Sequence, residues 1–173
     1  MVEKVNYFVL KKINSIEIRK YPKMILALVN NYNENSAFGL LFNYISGYNK
    51  KQEQIKMTAP VINSEKIEMT SPVLSQDNYM AFIMPSKYNK NNIPTPLDDN
   101  IKIKFQPERK LAIIRFSGYS TNNKIQKFKK KIIAELKKNN IKTKGSALLM
   151  RYNSPFAPPF MRRNELGIEI EYD

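Results

Sequence analysis

The residue types that most often carry catalytic or metal chemistry are missing from this sequence. It contains no histidine and no cysteine, which removes the commonest metal ligand, the commonest general base and every thiolate. Glutamates are present but scattered, and no pair of carboxylates has a spacing that favours acid–base catalysis. The five glycines form no phosphate-binding loop. We therefore predict a protein that is not an enzyme and that has neither catalytic residues nor a metal site.

Methionine is the next candidate for a binding role, because its polarizable sulfur suits both cores and apolar pockets. Met57 and Met69 begin two copies of one short motif, Met57-Thr58-Ala59-Pro60-Val61 and Met69-Thr70-Ser71-Pro72-Val73. We interpret the copies as two strands joined by a tight turn at residues 63–66, with each proline at an edge or a bulge. Core packing and the lining of a pocket both remain open for the two methionines.

Composition limits the class of protein. The 173 residues suit one domain, residues 1–173, and a hydrophobic content of 42% is enough for a core. The net charge of +14 indicates either a lysine-rich surface or attraction to an anionic partner. No RNA-binding aromatic motif, helix-turn-helix signature or zinc-finger spacing occurs, so nucleic acid is not the expected partner. With no signal-peptide core and no apolar run near the roughly 20 residues of a membrane span, we expect a soluble, cytoplasmic protein.

The elements that would position a site begin with two strands and a helix. Residues 16–19 alternate apolar and charged side chains and predict a half-buried strand, whereas the apolar run at residues 24–29 predicts a strand covered on both faces. A helix start signal follows at residues 33–36, and Gly47 stands where a C-terminal cap belongs. The helical spacing between them is carried by Phe38, Leu41, Phe42 and Ile45.

The second half of the chain repeats this order. Residues 101–104 alternate, residues 111–114 form a second apolar strand, and residues 120–122 open a second helix. The strands recur 85 residues further on, so that Ile16 corresponds to Ile101. The apolar face of the second helix comprises Ile125, Phe128, Ile132 and Leu136. Such a repeat predicts a domain duplicated about a pseudo-two-fold axis.

Three more segments read as strands, at residues 79–84, 147–152 and 166–172. The sum is eight or nine short strands and two helices. This pattern predicts an α+β fold, in which both helices pack on a curved or barrel-like antiparallel sheet.

Six short motifs occur in order along the chain: Ile16–Tyr21, Tyr44–Asn49, Ile55–Val61, Met84–Tyr88, Phe116–Gly118 and Arg162–Glu165. The ordered set resembles the SOUL, or haem-binding-protein, family from about Tyr7 to Tyr172. That resemblance implies a distorted antiparallel β-barrel flanked by two helices, with internal pseudo-symmetry. The fold is also similar to the ligand-binding domains of gyrase-inhibitor-like regulators.

The resemblance implies non-catalytic binding of haem or another tetrapyrrole in an apolar groove beside the first helix, for sequestration or transfer. On this basis we expect the groove to be lined by Phe38, Leu41, Phe42, Ile45, Met57 and Met69. Some members have a histidine, a proposed iron ligand, at the place of Lys20, and others have basic residues on the first helix. Here residues 24–49 contain no lysine or arginine, so any haem would be held mainly by apolar contact.

Two alternatives keep the fold and change the function. One is a protein-interaction or regulatory domain that does not bind haem. The other is a small-molecule hydrolase, which a buried glutamate near a tyrosine in the groove would favour. For Lys20 itself, a solvated strand lysine is the alternative to an iron ligand.

Two surfaces are also open to more than one interpretation. The loop with Phe156 and Phe160 is a lid over the groove, a docking surface for a partner, or a rigid loop tucked onto the sheet. Arg162, Arg163 and Glu165 beside it are expected to form a local ion network. The second helix presents either a solvated face or a site for an acidic protein partner. Its lysines predicted to face outward are Lys124, Lys127, Lys129, Lys130, Lys131, Lys137 and Lys138.

Overall fold

The computed structural model of the protein describes residues 3–30, 33–65 and 78–173, apart from the side chains of residues 64 and 65. This part of the chain forms ten strands and two α-helices. In chain order they are β1 (Glu3–Lys4), β2 (Phe8–Ile13), β3 (Ile16–Tyr21), β4 (Met24–Asn30), α1 (Glu34–Ile45), β5 (Thr58–Glu65), β6 (Tyr79–Ile83), β7 (Ile101–Gln106), β8 (Arg109–Phe116), α2 (Asn122–Lys138), β9 (Lys142–Arg151) and β10 (Asn164–Glu171). A short 3₁₀ turn, Pro159–Met161, precedes β10.

All ten strands belong to one sheet in the order β2-β3-β8-β10-β9-β5-β6-β4-β7, and β1 pairs with β5 outside this path. The β1–β5 pairing is parallel, and those along the path are antiparallel. The α+β class is therefore confirmed, with ten strands instead of eight or nine. The predicted barrel is wrong for the described chain: β2 covers the edge of β3, and β2 and β7 end the path without pairing with each other.

Between β3 and β7, the strand order reads the same from either end when each strand is replaced by its counterpart in the other half of the chain. β3, β4, β5 and β6 then correspond to β7, β8, β9 and β10. The registers agree as well, since Ile16 pairs with Ile114 and Val29 pairs with Ile101. Two copies joined about a two-fold axis would produce this order, and the duplication remains a prediction.

Helix α1 begins and ends where the sequence signals place it. The Asn33 side chain caps the helix by accepting a hydrogen bond from the Asn35 N–H at 3.0 Å. Gly47 follows the C-terminus with φ of 116°, a conformation that favours glycine. The buried residues Ala37, Leu41, Tyr44 and Ile45 share one core cluster with residues of β4 and β6.

Helix α2 is capped by Thr121, and it buries Ile125, Ile132 and Leu136 against the sheet. Lys129 is also buried, with 4% of its surface exposed, so the prediction that it faces outward is wrong. The reason is its position four residues after Ile125, on the same stripe of the helix. The aliphatic stem of a lysine can occupy such a place.

The two helices cover one face of the sheet, and the other face carries a separate apolar cluster. This helix-free face includes Leu26, Leu28, Leu111, Ile113 and Leu148. The alternation along each strand separates the faces, since Ala27 and Val29 of β4 pack under α1 instead.

Gly167 of β10 faces side chains that leave no room for a Cβ atom. A Cβ atom there would lie 2.6 Å from Ile113 Cδ1 and 3.0 Å from Met150 Cε. Only glycine fits this position without a shift of the core. At Gly39 in α1, by contrast, a Cβ would meet nothing within 4 Å.

The predicted hairpin of the Met-Thr repeat is described in its first strand only. Residues 58–61 begin β5, and the pairing of β5 with β6 shifts between Thr58 and Val61. The shift agrees with the edge or bulge expected at Pro60. The predicted turn at residues 63–66 is wrong for residues 63–65, which continue β5 and pair with β9. The second copy, residues 69–73 with Met69, lies outside the described residues.

Candidate functional site

A buried group of charged and phenolic side chains lies on the helix-free face where β3 and β10 meet β8. Arg19 of β3 and Glu165 of β10 are 3% and 0% exposed. The Arg19 Nη1 group donates to Glu165 Oε2 at 2.8 Å, and Arg163 Nη2 donates to Glu165 Oε1 at 2.7 Å. The Tyr152 hydroxyl also donates to Oε2, at 2.9 Å. Both oxygens of the buried carboxylate are therefore paired. We call these four residues the Glu165 cluster.

The N-terminal segment covers the Glu165 cluster. Its backbone is held by the parallel pairing of β1 with β5, which places the ring of Tyr7 4.1 Å from the guanidinium carbon of Arg19. The Tyr7 ring also contacts Tyr21 at a centroid distance of 5.4 Å, and its hydroxyl accepts a hydrogen bond from Arg163 at 3.2 Å. Water is thereby kept from the ion pair.

The titration of the nearby phenols follows from this burial. Burial raises the pKa of Tyr21 to about 12, against the opposing effect of Arg19. Burial likewise raises the pKa of Tyr152 far above its ordinary value, and the charge of Glu165 acts in the same direction. Both phenols are neutral at physiological pH. A carboxylate with two arginine partners and a protonated phenol is a structural ion pair, and it offers no free base for hydrolysis.

The predicted ion network is confirmed in part. Arg163 and Glu165 are paired, but Arg162 is not in the network, because its guanidinium donates to the carbonyl oxygens of Ala157 and Pro155. The main partner, Arg19, is 146 residues away in sequence. The alternation of apolar and charged residues in β3 predicted that Arg19 lies on the face opposite to Ile16 and Ile18. That face is buried here because the N-terminal segment covers it.

A cavity of about 770 Å³ opens at the end of the sheet formed by β4, β6 and β7. We call it the β4 cavity. Its walls are largely apolar, and Lys4, Lys23 and Lys90 are exposed at its rim. The apolar wall comprises Val5, Met24, Ile25, Ile83, Met84 and Phe105. The volume falls within the roughly 300–1,000 Å³ typical of sites for small molecules and cofactors.

The wall of the β4 cavity also contains polar residues, among them the carboxylate of Glu3 and the hydroxyl groups of Thr58 and Tyr88. Thr58 is 2% exposed, and its hydroxyl has no hydrogen-bond partner in the described chain. Tyr88, in contrast, donates its hydroxyl to Glu53 Oε1 at 2.5 Å, and burial together with this bond raises its pKa. Among the described residues of this wall, the Thr58 hydroxyl is the buried side-chain group without a hydrogen-bond partner.

The residues predicted to line a groove beside α1 lie mostly in the core. Leu41 and Ile45 are buried, while Phe38 is partly buried with its ring centroid 5.4 Å from that of Phe82. Phe42 is 49% exposed, and Met57 is partly buried in the same core cluster. Met69, the sixth residue predicted to line the groove, lies outside the described residues.

None of the five described groove residues lines the β4 cavity. The two regions nevertheless adjoin, because Ile25, Met84 and Tyr88 of the cavity wall belong to the core cluster beneath α1. The role of the α1 residues in binding remains a prediction.

Lys20 and the loop before β10 stand apart from the β4 cavity. Lys20 Nζ lies 2.9 Å from Glu108 Oε1 in a partly exposed ion pair, and Lys20 does not line the cavity. Phe156 and Phe160 are 96% and 79% exposed, so neither side chain is tucked onto the sheet. Their role as a lid or docking surface remains a prediction.

Within the described ranges, no group of three or more acidic side chains is arranged to hold a metal ion. The same part of the chain contains no helix that is long and apolar enough to cross a membrane.

Solved structures with a similar fold include EcmrR, in a complex with DNA and as its C-terminal domain, and a protein described as a hydrolase. The chain matches EcmrR in a cryo-EM structure of an EcmrR–DNA complex with a TM-score of 0.65 and 10% identity, over 90% of this chain and 57% of that one. It matches the EcmrR C-terminal domain with a TM-score of 0.61 and 11% identity, over 90% and 96% of the two chains. A hydrolase from Listeria innocua matches with a TM-score of 0.59 and 10% identity, over 94% of both. Identities this low show a shared fold only.

Among curated protein sequences, none matches the chain. The family comparison is more direct, because the model of the SOUL heme-binding proteins matches residues 2–169, which is nearly the whole sequence. The ordered motifs, the α+β fold and this match agree, and the chain belongs to the SOUL heme-binding protein family.

Proposed function

We propose that the protein binds haem or another tetrapyrrole, without catalysis, and that the β4 cavity holds the macrocycle. The observation that carries this proposal is the combination of an apolar cavity of about 770 Å³ with a rim of three lysines. A flat apolar ring with anionic side groups matches that combination. Family membership supports the same ligand class, since the family is one of heme-binding proteins.

The wall and the rim have separate tasks in this proposal. Met24, Met84 and Phe105 would contact the faces of the ring, where burial of apolar surface contributes most of the affinity. Lys23 and Lys90 would pair with propionate groups at the rim. The unpartnered Thr58 hydroxyl would donate to a polar atom of the ligand and so lose its unsatisfied state.

Iron ligation is not required by this arrangement. Of the usual protein ligands for haem iron, histidine and cysteine are absent from the chain and methionine and tyrosine remain. Met24 and Met84 line the cavity, and a thioether sulfur is a weak electron-pair donor. Lys20 is engaged with Glu108 outside the cavity, and the Tyr88 hydroxyl is engaged with Glu53. The residues present fit the macrocycle better than the metal. Iron-free porphyrin should therefore bind nearly as well as haem, which suits sequestration or transfer.

The test is a titration of the purified protein with haemin and with protoporphyrin, followed by tyrosine fluorescence and by optical spectra. We expect saturable binding of both, with affinities within about ten-fold of each other, a difference of roughly 1.4 kcal/mol. A large preference for haemin would contradict the role given to apolar contact. No saturable response to either ligand would refute the proposal.

Variants locate the site. The double substitution Lys23→Ser and Lys90→Ser should weaken binding of a dicarboxylic porphyrin, whereas Lys130→Ser with Lys131→Ser removes the same charge from an exposed part of α2 and should not. Phe42→Ser tests the groove predicted beside α1. If Phe42→Ser weakens binding and the rim variant does not, the ligand lies at α1 and not in the β4 cavity.

The alternatives receive less support. The feature expected to favour a hydrolase, a buried glutamate near a tyrosine, occurs at Glu165 and Tyr152. The pair does not line the β4 cavity, however, and both oxygens of Glu165 are already paired. A regulatory domain that does not bind haem is the outcome that failure of both titrations would favour. An acidic protein partner at the exposed lysines of α2 and a cytoplasmic location remain predictions.

A further inference from the structure

A second cavity lies on the helix-free face and has a different character. It measures about 550 Å³ and is lined by residues of β4, β6, β7, β8, β9 and β10. We call it the β7 pocket. Its charged lining comprises Lys102, Lys104, Arg109, Lys144 and Glu169. Four cations therefore face one carboxylate.

The buried member of this set is incompletely paired. Arg109 is 8% exposed, and its Nε group has no hydrogen-bond partner in the described chain. The carboxylate in ion-pair range is Glu169, whose Oε2 lies 3.8 Å from Arg109 Nη1, too far for a hydrogen bond. A buried guanidinium N–H without an acceptor is costly, so an acceptor supplied by a ligand would be favoured.

The lysines are also under-compensated. Lys144 Nζ lies 3.8 Å from Glu169 Oε1, so one carboxylate serves both cationic neighbours at long range. Lys102 and Lys104 are exposed, and neither forms an ion pair with a described residue. Their side chains lie on the same face of β7, two residues apart, and both line the pocket.

The Glu165 cluster on the same face shows what full compensation looks like. There Arg19 contacts two carboxylates, Glu17 and Glu165, at 2.8 Å each. No described carboxylate approaches Arg109 as closely. The excess positive charge of the β7 pocket is thus a local property of this site and not a general feature of the sheet.

We propose that the β7 pocket binds an oxyanion group, phosphate or carboxylate, of a small-molecule ligand. Arg109 is the buried anchor, and Lys102 and Lys104 hold the exposed oxygens at the mouth. The Tyr79 hydroxyl, which lies in the wall, is hydrogen-bonded to Arg109 and helps to hold the guanidinium in place. The β7 pocket shares Gln106 with the β4 cavity as a common wall, but the inference does not depend on tetrapyrrole binding.

The experiment uses pyrophosphate and citrate as probes of the full chain, by calorimetry and by amide chemical shifts. We expect saturable binding of at least one probe, with shifts at Arg109 and along β7. Binding of pyrophosphate alone assigns a phosphate ligand, and binding of citrate alone assigns a carboxylate ligand. Binding of neither probe at millimolar concentration overturns the proposal.

Two variants separate a built site from general attraction to a basic protein. Lys102→Ser with Lys104→Ser should lower the affinity about ten-fold or more, because charge-assisted hydrogen bonds are lost. Lys130→Ser with Lys131→Ser removes the same charge elsewhere and should change the affinity less than about two-fold at 0.15 M salt, where distant exposed charges are screened. An equal loss in both variants overturns the proposal. Arg109→Met should abolish binding, provided that the variant retains its thermal unfolding transition. If Arg109→Met does not fold, the comparison of the Lys102/Lys104 variant with the Lys130/Lys131 variant still tests the proposal.

Discussion

Removal of the buried carboxylate of Glu165 tests how much its ion pair with Arg19 contributes to stability. In Glu165→Gln the side chain keeps its shape but loses its charge. It leaves Arg19, which has a side chain 4% exposed, without its closest buried partner. It also places an amide N–H₂ group against an arginine or against the Tyr152 hydroxyl, all of which are donors in the native cluster. Two donors then face each other inside the protein.

The magnitude follows from the burial. Breaking a buried ion pair by removing one partner typically costs about 3–5 kcal/mol. For a domain of this size, each kcal/mol shifts the melting temperature by roughly 2–4 °C. We therefore expect Glu165→Gln to lower the Tm by about 6–20 °C. Urea unfolding followed by circular dichroism would give the free energy of unfolding directly.

The chain offers a matched control. Lys20 and Glu108 form an ion pair at 2.9 Å, almost the same distance as the 2.8 Å between Arg19 and Glu165, but their side chains are 38% and 57% exposed. Exposed pairs contribute about 0–1 kcal/mol, so Glu108→Gln should be nearly neutral. Equal losses in the two variants would refute the argument that burial, and not distance, decides the energy.

Other predictions concern single groups. Gly167→Ala should destabilise the protein by about 1–3 kcal/mol through overpacking. Gly39→Ala should stabilise it by about 0.5–1 kcal/mol, because alanine favours the helix and the site has space for a methyl group. Equal changes in the free energy of unfolding of the two variants, measured in urea, would contradict this. Tyr44→Phe removes a buried hydrogen bond of 2.7 Å to the Pro94 carbonyl, and should cost about 1–3 kcal/mol in the same assay, since that acceptor stays buried. Tyr21 has a pKa of about 12 when folded and about 10 when unfolded, so between about pH 10 and pH 12 it keeps its proton in the folded state and loses it in the unfolded state. Stability should therefore fall from about pH 10 upward, and Tyr21→Phe should flatten that fall.

Local signals predicted most of the fold. Both helices begin at their expected caps, and the strands found at residues 24–30 and 101–106 follow apolar or alternating runs. Two strands were missed, the two-residue β1 and β2 at residues 8–13. Strand β2 lies at the edge of the sheet. Its side chains are mostly exposed on both faces and its pairing shifts between Val9 and Lys11, so it leaves little alternation to detect. The open edge of the sheet could not be inferred, because closure depends on pairing between distant segments.

The candidate sites were less accessible to sequence reasoning. Arg19 and Glu165 meet across 146 residues, and their burial depends on a segment that precedes both. The β4 cavity combines the N-terminal segment with residues of four strands, β4, β5, β6 and β7, and with the loop after β6. The spacing of residues along the sequence does not indicate that these distant segments come together.

The strand order carries a consequence for how the molecule is assembled. Three pairings, β3 with β8, β4 with β7 and β5 with β9, join the first half of the chain to the second. Either half alone would leave these strands with open edges, so a chain cut within residues 84–100 should give two fragments that fold only on association. Both cavities draw walls from the two halves. A ligand in either one would then act as a cross-link between the fragments, and their affinity for each other would report its binding.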